Sequence, residues 1–398
     1  MAPRPLDGVR VIDLTNLLMA PYTSQILGDM GADVIKVEAP EGDPVRGIGP
    51  MRNPGMGHIF LSVNRSKRSI VLDLKNADGL AAMKALLKDA EVLIYNRRPH
   101  VMARLGLGYE TVSEINPRIV YAGLFGYGQD GPYAAKPAFD DLIQGAVGIP
   151  RMQAEIYGQD PTYVPAAIVD RGVGLWAVGQ INAALYHQAR TGEGQRIDMP
   201  MFEMMASFVL GDHMGGAAFD PPLGPAGYKR MHAPDRRPYA TSDGHVCVLI
   251  YTDRQWRSFF RAIGREADYD ADPRFATITA RNDNIAAIYA DLAAILKTRT
   301  TADWLSLLDE ADVPVMPMNG LQDLLDDPHL NGTGFYRTVE HPTEGRIRDM
   351  AVPSQWSRTQ PEPVRPAPRL GEHSAEILRE AGFDDSRIEA MMASGATA

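Results

Sequence analysis

An aspartate, Asp170, closes the run "VPAAIVD" and opens a glycine-punctuated apolar stretch, "DRGVGLWAVGQINAALYHQ". A carboxylate at such a junction has two readings. It can cap the helix that follows, because its oxygens accept the first free backbone N–H groups. It can also act as a nucleophile, since carboxylates form covalent acyl intermediates. In that case Gly172 and Gly174 would let a substrate approach the backbone, and the N–H groups of the helix start would face a developing oxyanion. The two readings coexist. With a free-aspartate pKa near ~3.9, the carboxylate is expected to be ionised at neutral pH.

The other chemistry-bearing pattern is Gly126, Gly128 and Gly131 in "IVYAGLFGYGQDGPY", a G-x-G-x-x-G run after an apolar β-branched segment. A dinucleotide loop should open into a helix whose N-terminus holds the pyrophosphate. Pro132, Tyr133 and Pro137 follow instead, and "GIPRMQAEI" offers no strand ending in an acidic residue. The run therefore reads as a glycine-rich turn that brings backbone close to something else. The histidines are scattered, with no HExxH and no His/Cys cluster at metal spacing, so no metal site is expected. Neither a G-x-S-x-G elbow nor a P-loop occurs. The lone cysteine, Cys247 in "VCVLIY", reads as a core residue.

These residues need a scaffold. Short apolar runs at 9–14, 33–38, 69–74, 91–96 and 118–125 alternate with helical stretches, one carrying Pro21 in its first turn and ending at Gly31. Strands spaced by helices predict a parallel, doubly wound α/β sheet. A long apolar helix is expected from about Gly172 to Arg190, and another from about Glu203. "GGAAFDPPLGPAGY" is a Gly/Pro-rich linker. A second unit follows, with strands "PYATS" and "HVCVLIY" and the helix "DRQWRSFFRAIG". The predicted division is a large domain over 1–214, a linker and small domain over 215–334, and a C-terminal return over 335–398.

Composition narrows the class. At 398 residues, 45% hydrophobic and 23% charged, the chain can bury two cores. A formal net charge of −10 argues against nucleic acid as a partner. The absence of a long apolar run argues against a membrane span, and the single cysteine and the opening "MAPRPLDGVRVIDL" point to a cytoplasmic protein. Basic residues concentrate in "NRSKRS" and "NRRPH", which suggests a pocket for a small anion. For Arg46 in "GDPVRG", a surface ion pair is the plainer expectation.

Eight segments in order, "LDGVRVIDLT", "GADVIKVEAPEGDPVR", "NRSKRSIVLDLK", "ARLGLGYE", "GYGQDGPY", "TGEGQRIDMPMFE", "DDPHL" and "RLGEHSAEILREAGF", resemble the class III CoA-transferase family, which includes α-methylacyl-CoA racemase. The resemblance implies a Rossmann-like large domain joined to a smaller α/β domain, the chain forming an open ring interlocked with a second in a homodimer. It implies coenzyme A and acyl-CoA as substrates beside carboxylic acids, and no tightly bound cofactor. It makes Asp170 the nucleophile, forming an aspartyl mixed anhydride and then an aspartyl-CoA thioester. The family's CoA contacts fall on Leu17, Leu18, Met19, Leu72, Lys75, Asn96, Arg97 and Arg104. From the residues themselves, Phe139 is read as lining the acyl pocket or as plain core, and Gly172 as giving room beside the oxyanion. Position 97 is usually aromatic in the family, and its formyl-CoA members carry glutamine where Leu18 stands. Their mobile glycine run is replaced here by "YKRMHAPDRRPY". A racemase pairs its aspartate with a histidine in the segment matching "PAFDD"; Phe139 stands there and cannot exchange a proton. Racemisation and an inactive acyl-CoA-binding homologue are the alternatives to transfer.

Overall fold

The structure is a computed structural model and describes residues 4–398. The chain forms two compact units. The first comprises residues up to Val147, Val164–Ala206 and His329–Ala398; the second comprises Gly148–Tyr163 and Ser207–Pro328.

The first unit is built on a parallel sheet of β1 (Arg10–Leu14), β2 (Asp33–Glu38), β3 (Lys67–Val71), β4 (Val92–Tyr95), β5 (Val120–Phe125) and β6 (Gln195–Pro200). The strand order is β3-β2-β1-β4-β5-β6, and every pairing is parallel. β1, β2, β4 and β5 read as mainly apolar runs because both faces are covered, whereas the edge strand β6, "QRIDMP", is polar and partly exposed and was not among the expected strands. Along β1 the alternation is plain: Val11 joins one core and Ile12 the other.

The helices through the middle of the chain are α1 (Met19–Asp29), α2 (His58–Asn64), α3 (Ala77–Leu87), α4 (Pro99–Arg104), α5 (Tyr109–Ile115), α6 (Asp140–Ala146), α7 (Ile149–Tyr157), α8 (Ile168–Thr191) and α9 (Met201–His213). One face of the sheet is buried by α1 and α8. The other is buried by α3, by Met102 and Leu107 after β4, and by Ile377, Leu378, Ile388 and Met391 of the C-terminal helices Ser374–Glu380 and Asp385–Ala393. Gly31, at φ 109°, ends the turn after α1 as expected of a glycine. Gly174 lets α8 settle on α1, since a Cβ there would lie 2.9 Å from the Met19 carbonyl oxygen. Its role is helix packing, not the substrate approach expected from the sequence.

Strand β3 begins at Lys67, not at Ser69, because its charges are neutralised inside the fold. The Lys67 ammonium uses its three N–H groups on Asp13 Oδ2 (2.9 Å), the Pro21 carbonyl (2.8 Å) and Asn64 Oδ1 (2.8 Å). Arg68 pairs with Asp33, Glu376 and Glu380, and Arg65 with Asp29 and Asp349. The "NRSKRS" run is therefore a set of buried ion pairs and not an anion pocket. Arg46 is also buried: it meets both carboxylate oxygens of Glu38 at 2.8 and 2.7 Å and lies over the Phe60 ring. The proline-rich segment "TQPEPVRPAPRLG" (359–371) is anchored to the start of β3, as Ser66 N–H donates to the Arg365 carbonyl at 2.8 Å. An antiparallel hairpin, Tyr336–His341 with Gly345–Met350, precedes it.

The second unit holds an antiparallel sheet of Tyr239–Ala240, His245–Val248 and Val315–Pro317. Around it packs an aromatic core of Trp256, Phe259, Phe260, Phe275 and Trp304. The helix Asp253–Ala262 carries a capping box in which Thr252 and Gln255 satisfy each other's backbone N–H groups.

Candidate active site

In an open parallel sheet, ligands bind beyond the carboxyl ends of the strands where the strand order reverses. Here the reversal lies between β1 and β4. A cleft of about 250 Å³ sits there, walled by Asn16–Met19 after β1, Asn96 and Arg98 after β4, and Leu124–Gly126 from the end of β5. Lys136, Phe139, Asp170 and Met201 complete it.

The loop after β1 is held from beneath by buried charge. Lys36 Nζ donates to the Thr15 carbonyl at 3.0 Å and to Asp43 Oδ2 at 2.9 Å, while Asp43 Oδ1 accepts the Leu17 N–H at 3.1 Å. Asn96 clamps the same loop from the side, giving its amide to the Asn16 carbonyl (2.7 Å) and taking the Asn16 N–H (3.2 Å). Leu17 is thereby fixed at φ 69°, a left-handed conformation that costs a branched side chain energy and persists because several partners over-determine it. Beneath it, burial pushes the Asp13 carboxyl up, but Lys67, Lys36 and the Ser24 and Thr15 hydroxyls outweigh that and hold it below the usual carboxylate range.

Asp170 is not a helix cap. Helix α8 begins at Ile168, its N-cap is Ala167 without a side-chain bond, and Asp170 is the third helical residue. The capping is done by another helix: Asp140 Oδ2, at the start of α6, accepts the N–H groups of Val169 and Asp170, each at 2.9 Å. Gln144, fully buried one turn along, holds Asp140 Oδ1 at 2.6 Å and takes the Val164 N–H at 2.9 Å. Because Ile168 and Arg171 donate to Ala166 and Ala167, the first four N–H groups of α8 are all engaged. They are not free for an oxyanion, contrary to the sequence expectation. Gly172 has only the Met205 sulfur nearby, 3.7 Å from where its Cβ would stand.

The Asp170 carboxylate itself has no hydrogen-bond or ion-pair partner among the described residues. Burial first, and the facing Asp140 and Asp141 carboxylates next, push its pKa to about 7, with Arg171 opposing them. It is thus poised between acid and carboxylate at neutral pH, where the free side chain would be fully ionised.

The sequence-derived residues divide. Leu17, Leu18, Met19, Asn96, Phe139 and Asp170 meet in the cleft, with Phe139 60% exposed on its wall. Leu72 is 1% exposed inside the core below β3 and reaches no cleft. Lys75 and Arg104 are exposed, and Arg97 is half-buried; none of the three lines the cleft. The cations that do line it are Arg98 and Lys136, the latter lying over the Tyr133 ring at 3.8 Å. Sequence reading missed Lys136 and the trans-capping Asp140, and it included Arg98 only within the basic run "NRRPH" without naming it as a site residue. Arg98 was one residue away, and Asp140 sits in "AFDD", where paired acids at a helix start were the available signal. The glycine turn approaches its own chain: a Cβ at Gly126 would meet Ala138 at 2.3 Å, and Gly128 N–H donates to Glu203 Oε1 at 2.8 Å.

The profile of CoA-transferase family III matches residues 6–374. Over 390 residues the chain is 35% identical to succinate–glutarate CoA-transferase of Agrobacterium fabrum, covering 94% of this chain and 95% of that one. It is 34% identical to succinyl-CoA:mesaconate CoA-transferase of Haloarcula hispanica, covering 95% of this chain and 96% of the relative. A crystal structure of a CAIB/BAIF family protein from Brucella suis superposes with a TM-score of 0.78 at 32% identity, covering 96% of this chain and all of that one.

Proposed function

Because the chain belongs to CoA-transferase family III, we propose that it moves coenzyme A between an acyl-CoA and a free carboxylic acid through a covalent intermediate on Asp170. The observation that carries this reading is a carboxylate with no partner among the described residues, set at the switch-point cleft and held by a helix whose N-terminus is capped from elsewhere. The names of the relatives support short dicarboxylic acids as the substrate class.

The steps balance without any other group. An ionised Asp170 oxygen attacks the thioester carbonyl, the C–S bond breaks, and CoA leaves as its thiolate, giving a mixed anhydride. The thiolate then attacks the aspartyl carbonyl and releases the first acid as a carboxylate, leaving an aspartyl-CoA thioester. The acceptor carboxylate attacks that thioester, re-forming an anhydride and the thiolate. Attack of the thiolate on the acceptor's carbonyl yields the new acyl-CoA and regenerates Asp170. The thioester's free energy is conserved as long as water is kept from the anhydride. Only the ionised aspartate is a nucleophile, so the raised pKa makes the first step depend on pH near neutrality.

On this reading Leu17, Leu18 and Met19 face the pantetheine. Arg98 and Lys136 draw the anionic ligand in, and Lys75, Arg97 and Arg104, on the segments after β3 and β4, meet the nucleotide phosphates. The scaffold is Rossmann-like and the assembly an interlocked homodimer. Such a dimer buries far more than the ~1,600 Å² of an ordinary interface and stays associated at nanomolar concentration; a concentration-dependent monomer in sedimentation would count against it. The function is tested by incubating the protein with succinyl-CoA and glutarate and reading product masses. Glutaryl-CoA and succinate in equal amounts are expected; free CoA alone would mean hydrolysis instead. Phe139, with no proton to exchange, argues against racemisation, and a 2-methylacyl-CoA epimer ratio that stays fixed would agree.

A further inference from the structure

A cavity of about 430 Å³ in the second unit opens against its small antiparallel sheet. Val248, Leu249, Val315 and Met316 make aliphatic walls, and Arg230, Arg236 and Arg237 line it without any carboxylate. Two of the arginines are occupied. Arg237 pairs with Asp235 at 2.9 Å, and Arg230 Nε donates to the Tyr289 hydroxyl at 2.9 Å. Arg236 is not: its guanidinium has no ion pair among the described residues, and its Nε is buried without a hydrogen-bond partner. A buried, unsatisfied donor is costly, and the planar guanidinium fork matches a carboxylate through two parallel bonds.

We propose that this cavity binds the carboxylate of a short aliphatic acid, with Arg236 as the two-pronged donor, Arg230 beside it and the strand residues covering the hydrocarbon chain. A cavity lined by arginines, one of them unpaired, and by no carboxylate selects an anion, and the aliphatic walls select against a fully hydrated one such as sulfate. The acid class rests on the transfer reading above; the binding does not, because it needs neither CoA nor turnover.

The probe is glutarate, titrated calorimetrically into the full-length protein at neutral pH without CoA. Wild type is expected to bind, Arg236→Ala at least ~10-fold more weakly and Arg236→Lys in between, because a lost charge-assisted pair is worth that much. Pentanediamide, of the same length but uncharged, should give no heat. If the variants misfold, wild type still reports: glutarate should slow phenylglyoxal modification of Arg236. Unchanged affinity in Arg236→Ala, equal binding of the diamide, or no protection would overturn the site. Its source follows from steady-state kinetics. A substrate acid shows a raised KM for the acid in Arg236→Ala with the KM for acyl-CoA unchanged, whereas an effector acid shows an unchanged KM and loss of glutarate's effect on rate. If the transfer reading alone is wrong, wild type will bind glutarate through Arg236 and turn over no thioester.

Discussion

Replacing Asp170 by asparagine should abolish transfer and stabilise the fold. A free aspartate titrates near 3.8 and Asp170 at about 7, chiefly because burial, then Asp140, disfavour its charge. Each pH unit between those values corresponds to 1.36 kcal/mol, so ionised Asp170 costs the folded state up to about 4 kcal/mol. Partial solvent contact reduces this to about 2–4 kcal/mol. The sign is fixed by which state holds the proton. Below pH 3.8 the group is neutral folded and unfolded, and asparagine gains nothing. Between 3.8 and about 7 the folded chain keeps a proton that the unfolded chain has lost, so wild-type stability falls as pH rises. Above about 7 the full cost of the charge is present and the advantage of Asp170→Asn levels off. Urea or thermal unfolding of both proteins from pH 4 to 9 measures the difference directly. An Asp170→Asn protein no more stable than wild type at pH 8, or one whose advantage does not depend on pH, would refute the poised-carboxylate argument.

For the first half-reaction, kcat/KM for the acyl-CoA should rise about tenfold per pH unit below about 7 and level above it; Asp140→Asn, which keeps an acceptor for the α8 N–H groups but removes the facing charge, should move that profile to lower pH. Asp140→Ala should in addition cost about 1 kcal/mol in thermal unfolding, the usual loss of a helix cap. Arg98→Ala and Arg104→Ala should each weaken CoA binding by about 1–3 kcal/mol in calorimetry, and unchanged affinity in both would place the coenzyme elsewhere. Lys67→Met, which strands Asp13 in the core, should destabilise by about 3–5 kcal/mol in denaturant unfolding, because an unpaired buried charge remains.

Five strands of the sheet were legible because they are buried on both faces and so carry mainly apolar runs, while the edge strand β6, "QRIDMP", is polar and partly exposed and gave no such signal. Where charge enters a strand the signal failed: Lys67 and Arg68 looked like solvated or ligand-binding surface, because their partners Asp13, Asp33 and Glu380 lie far away in sequence. The position of Asp170 was visible in its local pattern, but its environment was not. Its pKa is raised first by burial and then by Asp140, thirty residues earlier, which also caps α8, and only the packing of α6 on α8 brings the two together. The same distance effect misassigned Leu72, whose apolar neighbours in "SIVLDL" fit a binding loop and a core strand equally well.

Every step of the proposed transfer depends on a covalent bond to Asp170. Wild-type protein quenched during turnover with succinyl-CoA, digested and read by mass spectrometry should carry a CoA or succinyl adduct on the peptide containing "VPAAIVDR", and hydroxylamine should convert that aspartate to the hydroxamate. The adduct should be absent in Asp170→Asn. An adduct that maps to another residue, or steady transfer with an unmodified Asp170 peptide throughout, would contradict it.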